Sequence, residues 1–335
     1  GRAVMEFGSR RAQGSDGAIM GARAAYIAGA AGTACTICER DFHVPALGTM
    51  AHSWVQMFDN EFEAFKAYAL TYPNACTVLV DTYNVLRSGI PNAIRVAKEV
   101  LEPMGCRMQG VRIDSGDITY LSRKAREMLD AADMKDCKIV VSNSLDEFLV
   151  RDLLAQGACI DSFGIGERLI TSSSEPVFGG VYKLAAIEDK NGAIIPKIKI
   201  SENVEKITNP GIKRLLRVYD QDGKSVADLM TLRDEPLPGA EPYRYVDPIR
   251  PWRVRYFENC VYEELQQPIF VDGKRVYTLP TLAESRAYVH QQLHQQVWEE
   301  EQRIQNPHVH YVDMSPRLYE LKMNMLHSSH AGKER

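Results

Sequence analysis

The sequence has no surplus of positive charge: 40 Lys and Arg against 44 Asp and Glu give a formal net charge of -4. That removes the overall basic field that would hold nucleic acid or an anionic membrane, so an anionic ligand has to be caught locally. Long apolar runs are missing too. The most apolar stretch, residues 21–36, is broken by Arg23 and several glycines, well short of the roughly 20 apolar residues of a membrane span. Neither nucleic acid nor membrane is expected as a partner. Cysteine is scarce and odd in number: Cys35, Cys38, Cys76, Cys106, Cys137, Cys159 and Cys260. Most lie in apolar, strand-like surroundings, which predicts reduced thiols and a cytoplasmic location. Cys35 and Cys38 form one C-x-x-C pair, but a zinc or redox role needs a second pair or a thioredoxin-like βαβ context, and the sequence has neither. They read as small buried hydrophobes. No fixed-period repeat or low-complexity tract occurs. What remains, 45% hydrophobic and 25% charged residues, is the profile of a globular chain.

From about residue 40 to 166, short β-branched runs alternate with stretches of helical length, the mark of βα units and a parallel sheet. Strands are predicted at residues 44–48, 77–83, 110–114, 138–143 and 160–166. Trp54, Phe58, Phe62, Phe65 and Ala69 recur at spacings of three and four, which predicts one apolar helical face turned to the core. The polar residues cluster at strand ends: Thr49 and His52 after the first, Asp81-Thr82-Tyr83 at the second, Asp114-Ser115-Gly116-Asp117 after the third, Ser142-Asn143-Ser144 at the fourth, Gly164-Ile165-Gly166 at the fifth. Strand ends delivering such residues in succession predict an α/β barrel with its site at the C-terminal face, whereas a doubly wound sheet gathers its ligand groups at one switch point.

Beyond Gly166 the texture changes to antiparallel strands at residues 181–188, 196–201 and 215–219, with a hairpin turn at Asp222-Gly223. A proline-rich linker or extended segment is predicted at 236–251, an amphipathic charged helix at 282–304, and a frayed tail after Met325. Four segments follow: residues 1–40, part of an N-terminal-type domain and the entry to the barrel; 41–178, the barrel units with the site; 179–250, β-rich with a linker; and 251–335, a C-terminal extension with the helix. The first residue is Gly1, inside what reads as a strand end and loop, Val4-Met5-Glu6-Phe7-Gly8, so an upstream segment is expected.

Taken singly, the motifs leave alternatives open. Arg112-Ile113-Asp114-Ser115-Gly116-Asp117 sets a cation and two carboxylates around a tight turn, which suits a ribose phosphate. It equally suits a surface ion-pair loop, and Asp114 with Asp117 could be the paired carboxylates of a glycosidase. Gly164-Ile165-Gly166 could let backbone amides approach a phosphate or could be a plain turn. His52 follows a strand at a helix start, where an added phosphate would meet free N–H groups.

In combination the strings are specific. Glu6-Phe-Gly-Ser-Arg-Arg-Ala-Gln-Gly14, Gly48-Thr-Met-Ala-His-Ser53, Val80-Asp-Thr-Tyr83, Gly110-Val-Arg-Ile-Asp-Ser-Gly-Asp117, Ser162-Phe-Gly-Ile-Gly166 and Gly180-Val-Tyr-Lys-Leu184 occur in this order, and the chain thereby resembles the nicotinate phosphoribosyltransferases. Lys199-Ile-Ser-Glu202, Asn209-Pro-Gly211 and Leu282-Ala-Glu-Ser285 extend the resemblance, which runs from Glu6 to at least Leu321.

The resemblance implies an irregular α/β barrel of the type II phosphoribosyltransferase kind, with additional β-rich and C-terminal helical segments. It implies synthesis of nicotinate mononucleotide and pyrophosphate from nicotinate and phosphoribosyl pyrophosphate, in NAD biosynthesis, by a homodimer that uses Mg²⁺. ATP is a co-substrate whose hydrolysis is coupled through a phosphohistidine, and His52 resembles that residue. Asp81 would orient it. Arg112 and Thr49 match positions that meet nicotinate, and Asp114 matches the residue beside the ribose. Arg10 and Arg11 would lie near the phosphates, with Ser115, Gly116, Gly164, Gly166 and Thr171 as further binding residues and Lys183 as another candidate. No metal ligand is assigned.

Two departures stand out. The family's N-terminal segment, which carries an aromatic residue that stacks on the pyridine across a dimer interface, would lie upstream of Gly1; within the motifs only Tyr83 is placed to stack. Glu167 stands after Gly166 where relatives carry threonine. Within the class, nicotinamide would call for a carboxylate near residues 29–33, which contain none, and quinolinate would call for more basic residues. A barrel that binds nucleotides without catalysis is a further alternative.

Overall fold

The β-branched runs pair side by side in parallel, as their alternation with helices requires. A computed structural model describes residues 1–203, 206–239 and 241–331, which divide into two compact units, Gly1–Phe178 with Leu282–Arg286 and Gly179–Thr281 with Ala287–Arg335.

The first unit contains β1 (Ala3–Glu6), α1 (Gly14–Ile27), β2 (Gly32–Thr33), α2 (Thr36–Phe42), α3 (His52–Gln56), α4 (Glu61–Thr71), β3 (Thr77–Leu79), α5 (Ile90–Val96), β4 (Gly110–Ile113), α6 (Ile118–Ala131), β5 (Lys138–Ser142), α7 (Glu147–Ala155), β6 (Ser162–Ile165) and α8 (Glu167–Ile170). Its six strands lie in the order β2-β1-β6-β5-β4-β3, and every pairing is parallel. The first strand thus lies beside the last, which is barrel order and not doubly wound order. All strands end at one face.

The predicted strand at residues 44–48 is not formed. Only the bridge Thr33–Ala46 is present, because Pro45 offers a carbonyl to Thr33 N–H, at 3.0 Å, but has no N–H of its own to continue a ladder. The segment stays beside β2 at the edge of the sheet. The predicted apolar stripe is also split: Trp54 lies in α3 and Phe62, Phe65 and Ala69 in α4, because Asn60 caps α4 by accepting from Glu63 N–H at 3.1 Å. The stripe still faces the core, with Phe65 and Ala69 fully buried. Asp117 and Asp146 cap α6 and α7 in the same way. The Asp117 carboxylate is therefore committed to a helix start, which removes one member of the glycosidase-like pair.

Between β3 and α5 the chain passes close to itself. Any side chain at Gly89 would overlap the carbonyl oxygen of Val80, and Val80 is pinned because its N–H donates to Arg112 O at 3.0 Å. Cys35 and Cys38 are buried in a small apolar cluster with Ala18, Ala22 and Val44, and burial pushes the Cys38 thiol up to about 12. No helix among the described residues is long and apolar enough to cross a membrane.

The second unit is built on a mixed sheet. It contains β7 (Ala186–Glu188), β8 (Ile194–Pro196), β9 (Lys213–Tyr219), β10 (Ser225–Leu232), β11 (Tyr243–Val246), β12 (Val254–Phe257), β13 (Val261–Glu264), β14 (Phe270–Val271), β15 (Lys274–Arg275), β16 (Val312–Met314) and α10 (Pro316–Ala331). The main order is β12-β11-β16-β10-β9-β13. The expected hairpin joins β9 to β10, with Gly223 at φ +77° and Asp220 accepting from Asp222 and Lys224 N–H groups. Residues 236–251 are more than a linker, since β11 lies among them: Tyr245 stacks on Phe257 at 3.9 Å in the core. The helix predicted at 282–304 is shorter. It runs as α9 (Leu282–Gln291) and a π turn (Gln292–Gln296), then breaks at Val297, whose ψ of 136° is extended. Helix α10 continues past Met325, where fraying is predicted; residues 332–335 lie outside the described ones.

A charged network is buried beside this sheet. Arg217 holds Asp228 in a two-point contact at 2.8 and 3.1 Å, and His310 bridges Asp228 and Glu301 at 3.3 and 3.2 Å. Asp313, 1% exposed, sits nearby with one carboxylate oxygen, Oδ2, that has no hydrogen-bond partner among the described residues. Burial, reinforced by the charge of Asp247, pushes its carboxyl up to about 6. A carboxyl raised from 3.8 is a liability wherever it is ionised in the folded state, so the cost is absent below about pH 4, grows through about pH 6 and is complete above. Asp313→Asn should therefore raise stability near pH 8 by roughly 1–3 kcal/mol and leave it unchanged near pH 4. Urea titrations at the two pH values measure this, and equal gains at both would refute it.

Candidate active site

The C-terminal ends of β1, β4, β5 and β6, with the loop into α3, enclose a cavity of about 490 Å³. Its walls include Phe7, Arg10, Arg11, Ala34, Thr49, His52, Arg112, Asp114, Ser142, Asn143, Ser144, Gly164, Gly166 and Glu167.

Arg112 projects from β4 and is held from three sides. Its Nε donates to Ser142 Oγ at 2.8 Å, one Nη to Thr49 Oγ1 at 3.0 Å and the other to Asp114 Oδ1 at 3.0 Å, while the Phe7 ring lies 5.2 Å from its guanidinium carbon. Ser142 also donates to Asp114. A guanidinium has five N–H donors in a fixed fork, so this frame leaves two for a ligand while locking the plane of the group. A planar cation with spare donors in a concave site is suited to a carboxylate or phosphate.

His52 is the first residue of α3, as predicted, and its side chain is 40% exposed. Its Nδ1 lies 3.1 Å from Thr82 Oγ1, and its Nε2 is 3.8 Å from both Asp81 Oδ1 and Asp114 Oδ2. The hydrogen bond that sets the ring is thus with Thr82, and the carboxylates face the other nitrogen as charges. Asp81 is 2% exposed. Its Oδ2 accepts from Asp114 N–H at 3.0 Å and from Ser115 Oγ at 2.6 Å, which ties the loop after β4 to the loop after β3. Its Oδ1 has no hydrogen-bond partner among the described residues.

Arg10 and Arg11 are exposed on a single turn, Ser9–Arg11, at the mouth. Beneath them Glu6 is fully buried and accepts from Gly8 N–H and, at 2.5 Å, from Thr33 Oγ1. Thr33 in turn accepts from Cys35 N–H at 2.9 Å. This knot fixes the loop carrying Phe7 and the two arginines. Arg11 lies 3.8 Å from Glu167, both more than half exposed, an ion pair of little energetic weight.

The other predicted residues divide. Gly164 lines the cavity, and its bare Cα makes room for Phe7, whose ring any side chain there would overlap. Gly166 lines it as well and starts α8, its carbonyl accepting from Leu169 and Ile170 N–H groups. Ser115, Gly116, Tyr83 and Thr171 do not line it. Ser115 serves Asp81, Gly116 at φ +84° makes the turn into α6, Thr171 donates to Glu167 O at 2.7 Å, and Tyr83 is 59% exposed. Lys183 belongs to the second unit, where its Nζ donates to Lys206 O at 2.8 Å.

Several wall residues were not predicted as site residues. Phe7 supplies the aromatic surface that the motifs were expected to lack. Asn143 and Ser144 hold left-handed backbones, φ +97° and +46°, the kind of strain that collects at functional sites. The signal available was a Ser-Asn-Ser run at a strand end, since Asn tolerates that region. Among the described residues no group of three or more His, Cys, Asp or Glu could hold a metal ion.

Comparison with known proteins places this geometry. A model of the nicotinate phosphoribosyltransferase (NAPRTase) family matches residues 2–223, and one of the nicotinate phosphoribosyltransferase C-terminal domain matches residues 212–322. A nicotinate phosphoribosyltransferase of Bacillus subtilis (strain 168) is 42% identical over 327 residues, covering 97% of this chain, which spans 65% of that relative's length. The crystal structure of human nicotinic acid phosphoribosyltransferase superposes with a TM-score of 0.77 at 28% identity, covering 96% of this chain and 70% of that one. A nicotinate-nucleotide pyrophosphorylase from Pyrococcus furiosus, at 22% identity, shares the fold with a TM-score of 0.63, covering 87% of this chain and 65% of its own.

Proposed function

Since the chain belongs to the nicotinate phosphoribosyltransferase family, we propose that its cavity joins nicotinate to phosphoribosyl pyrophosphate, yielding nicotinate mononucleotide and pyrophosphate for NAD biosynthesis. The observation that carries this reading is Arg112, framed by Ser142, Thr49 and Asp114 with two N–H groups to spare. Those donors take the pyridine carboxylate, and Phe7 offers its ring face to the pyridine. Ala34 on the same wall, with no carboxylate among residues 29–34, favours the acid over nicotinamide, which would need an acceptor for its N–H₂ group.

In this reading the pyridine nitrogen attacks the anomeric carbon as the bond to pyrophosphate breaks, and Asp114 stabilises the positive charge that grows on the ribose. Asp81, holding the Asp114 backbone N–H, keeps that carboxylate in place. Arg10 and Arg11 meet the phosphates at the mouth. Asp114 is the carboxylate on the cavity wall beside Arg112 that would share a Mg²⁺ ion with pyrophosphate oxygens, the usual way this ion is held, and the ion would neutralise charge on the leaving group. ATP is a co-substrate that phosphorylates His52, half-exposed on the cavity wall. A homodimer and a cytoplasmic location, in keeping with seven unpaired cysteines, complete the proposal.

The test is nicotinate mononucleotide synthesis with and without ATP. The protein should use nicotinate and not nicotinamide, and ATP should stimulate it and leave an acid-labile phosphate on His52. His52→Ala should keep slow synthesis, lose the stimulation and take no label; equal labelling of the variant would end the phosphohistidine reading. Loss of all synthesis would instead assign His52 to holding the ribosyl donor.

A further inference from the structure

The second unit has a cavity of its own, about 470 Å³, with Asp247, Arg250, Arg303, His308, His310 and Asp313 on its walls. This volume is within the range of small-molecule sites. Its inner wall carries a buried carboxylate that no hydrogen bond completes: Asp313 is 1% exposed, and its Oδ2 has no hydrogen-bond partner among the described residues, the charges of Arg255 and His310 acting on it only from a distance. The neighbouring groups are committed elsewhere. His310 is shared between Asp228 and Glu301, the Arg255 guanidinium lies over the Tyr311 ring at 4.6 Å, and Asp247 Oδ1 is occupied by the N–H groups of Ile249 and Arg250. The outer wall is opposite in sign. The side chains of Arg250 and Arg303 are exposed and make no hydrogen bond or ion pair among the described residues.

A metal ion does not answer this pattern, because no cluster of three or more ligand side chains is available among the described residues. An ammonium group does: it carries three donors and a charge, and a buried carboxylate with a free oxygen is costly until such a partner arrives. We propose that this cavity binds a small zwitterion, with its protonated amine on Asp313 and its carboxylate or phosphate on Arg250 and Arg303. Such a site is separate from the transferase cavity and would let the second unit sense an amine-bearing metabolite.

The test uses ω-amino acids from glycine to 6-aminohexanoate, with 2-aminoethyl phosphate as the phosphate-bearing probe, titrated into the full chain by calorimetry. One chain length should bind best, at least about tenfold tighter than the alkylamine or the alkanoate of equal length, as expected when each end makes a charge-assisted contact. A stronger response to the phosphate probe would assign the anion as phosphate, and a stronger response to an amino acid as carboxylate. Asp313→Asn should abolish the preference for the zwitterion, and Arg303→Gln should weaken it. Both should keep basal nicotinate mononucleotide synthesis, which shows that they fold. The inference is overturned if no probe binds, if Asp313→Asn binds as tightly as the parent, or if amine or acid alone matches the zwitterion.

Discussion

Arg112→Lys is expected to raise the Michaelis constant for nicotinate by about 10- to 150-fold, the equivalent of 1.5–3 kcal/mol for a lost charge-assisted contact. Charge is retained, so the loss measures geometry alone. The arginine spends three N–H groups on Ser142, Thr49 and Asp114, and these acceptors come from three different loops and strands. A lysine ammonium has three donors at one point and cannot satisfy that triangle while also presenting two parallel bonds to a ligand. Asp114 would lose its guanidinium donor and keep only the Ser142 hydroxyl, so kcat should fall as well. Ser142→Ala, which removes one side of the triangle, should show the same trend more weakly. Steady-state kinetics decide the matter, and an unchanged Michaelis constant in Arg112→Lys would refute the contact.

Gly89→Ala should be the most damaging small change to the fold, lowering the unfolding free energy by about 3 kcal/mol or more. Gly89 has an ordinary helical backbone, φ -59°, so the requirement is for space and not for glycine's conformational range. The obstacle is the Val80 carbonyl oxygen, a backbone atom that can move only by breaking the 3.0 Å bond from Val80 N–H to Arg112 O. Asp81 follows Val80 directly, so protein that still folds should also show impaired catalysis. Urea titration of parent and variant measures the first effect; a loss under about 1 kcal/mol would mean that the helix can slide away from β3 at little cost.

Much of the first unit was legible because β-branched runs and amphipathic stretches report burial locally. Strands from residue 77 onward are present, though each is shorter than its hydrophobic run, because pairing partners and not composition end a strand. Residues 44–48 look like a strand by composition, yet the missing N–H of Pro45 breaks the ladder. The Trp54 to Ala69 stripe has helical spacing throughout, but the turn at Asp59-Asn60 divides it into two helices with the same buried side.

The candidate site was legible where chemistry is carried by residue type. Arg112, Asp114, His52 and Thr49 converge as their strand-end positions suggest. It was opaque where a role depends on a distant partner. Phe7 reads as an ordinary strand-end aromatic until Gly164, 157 positions later, is seen to leave room for its ring. Nothing in the sequence shows that Glu6 is enclosed by Thr33 and the Gly8 N–H. The second unit was harder to read throughout, since its short strands mix parallel and antiparallel neighbours and β16 pairs with residues of β10 that lie 84 positions earlier, as Val312 does with Asp228.

The frame around Arg112 ties residues 63 and 30 positions apart, and the Asp81 bond to the loop after β4 spans 33. Each such tie closes a long loop whose entropy must be spent before the contact rewards it. The pocket can therefore exist only after the strands around it have assembled, and a ligand gains nothing from a partly folded chain. Nicotinate or phosphoribosyl pyrophosphate should consequently act as a ratchet on refolding: neither should speed the early collapse, but each should slow unfolding and protect the amide protons of β4 and β5 together, as a single exchange unit.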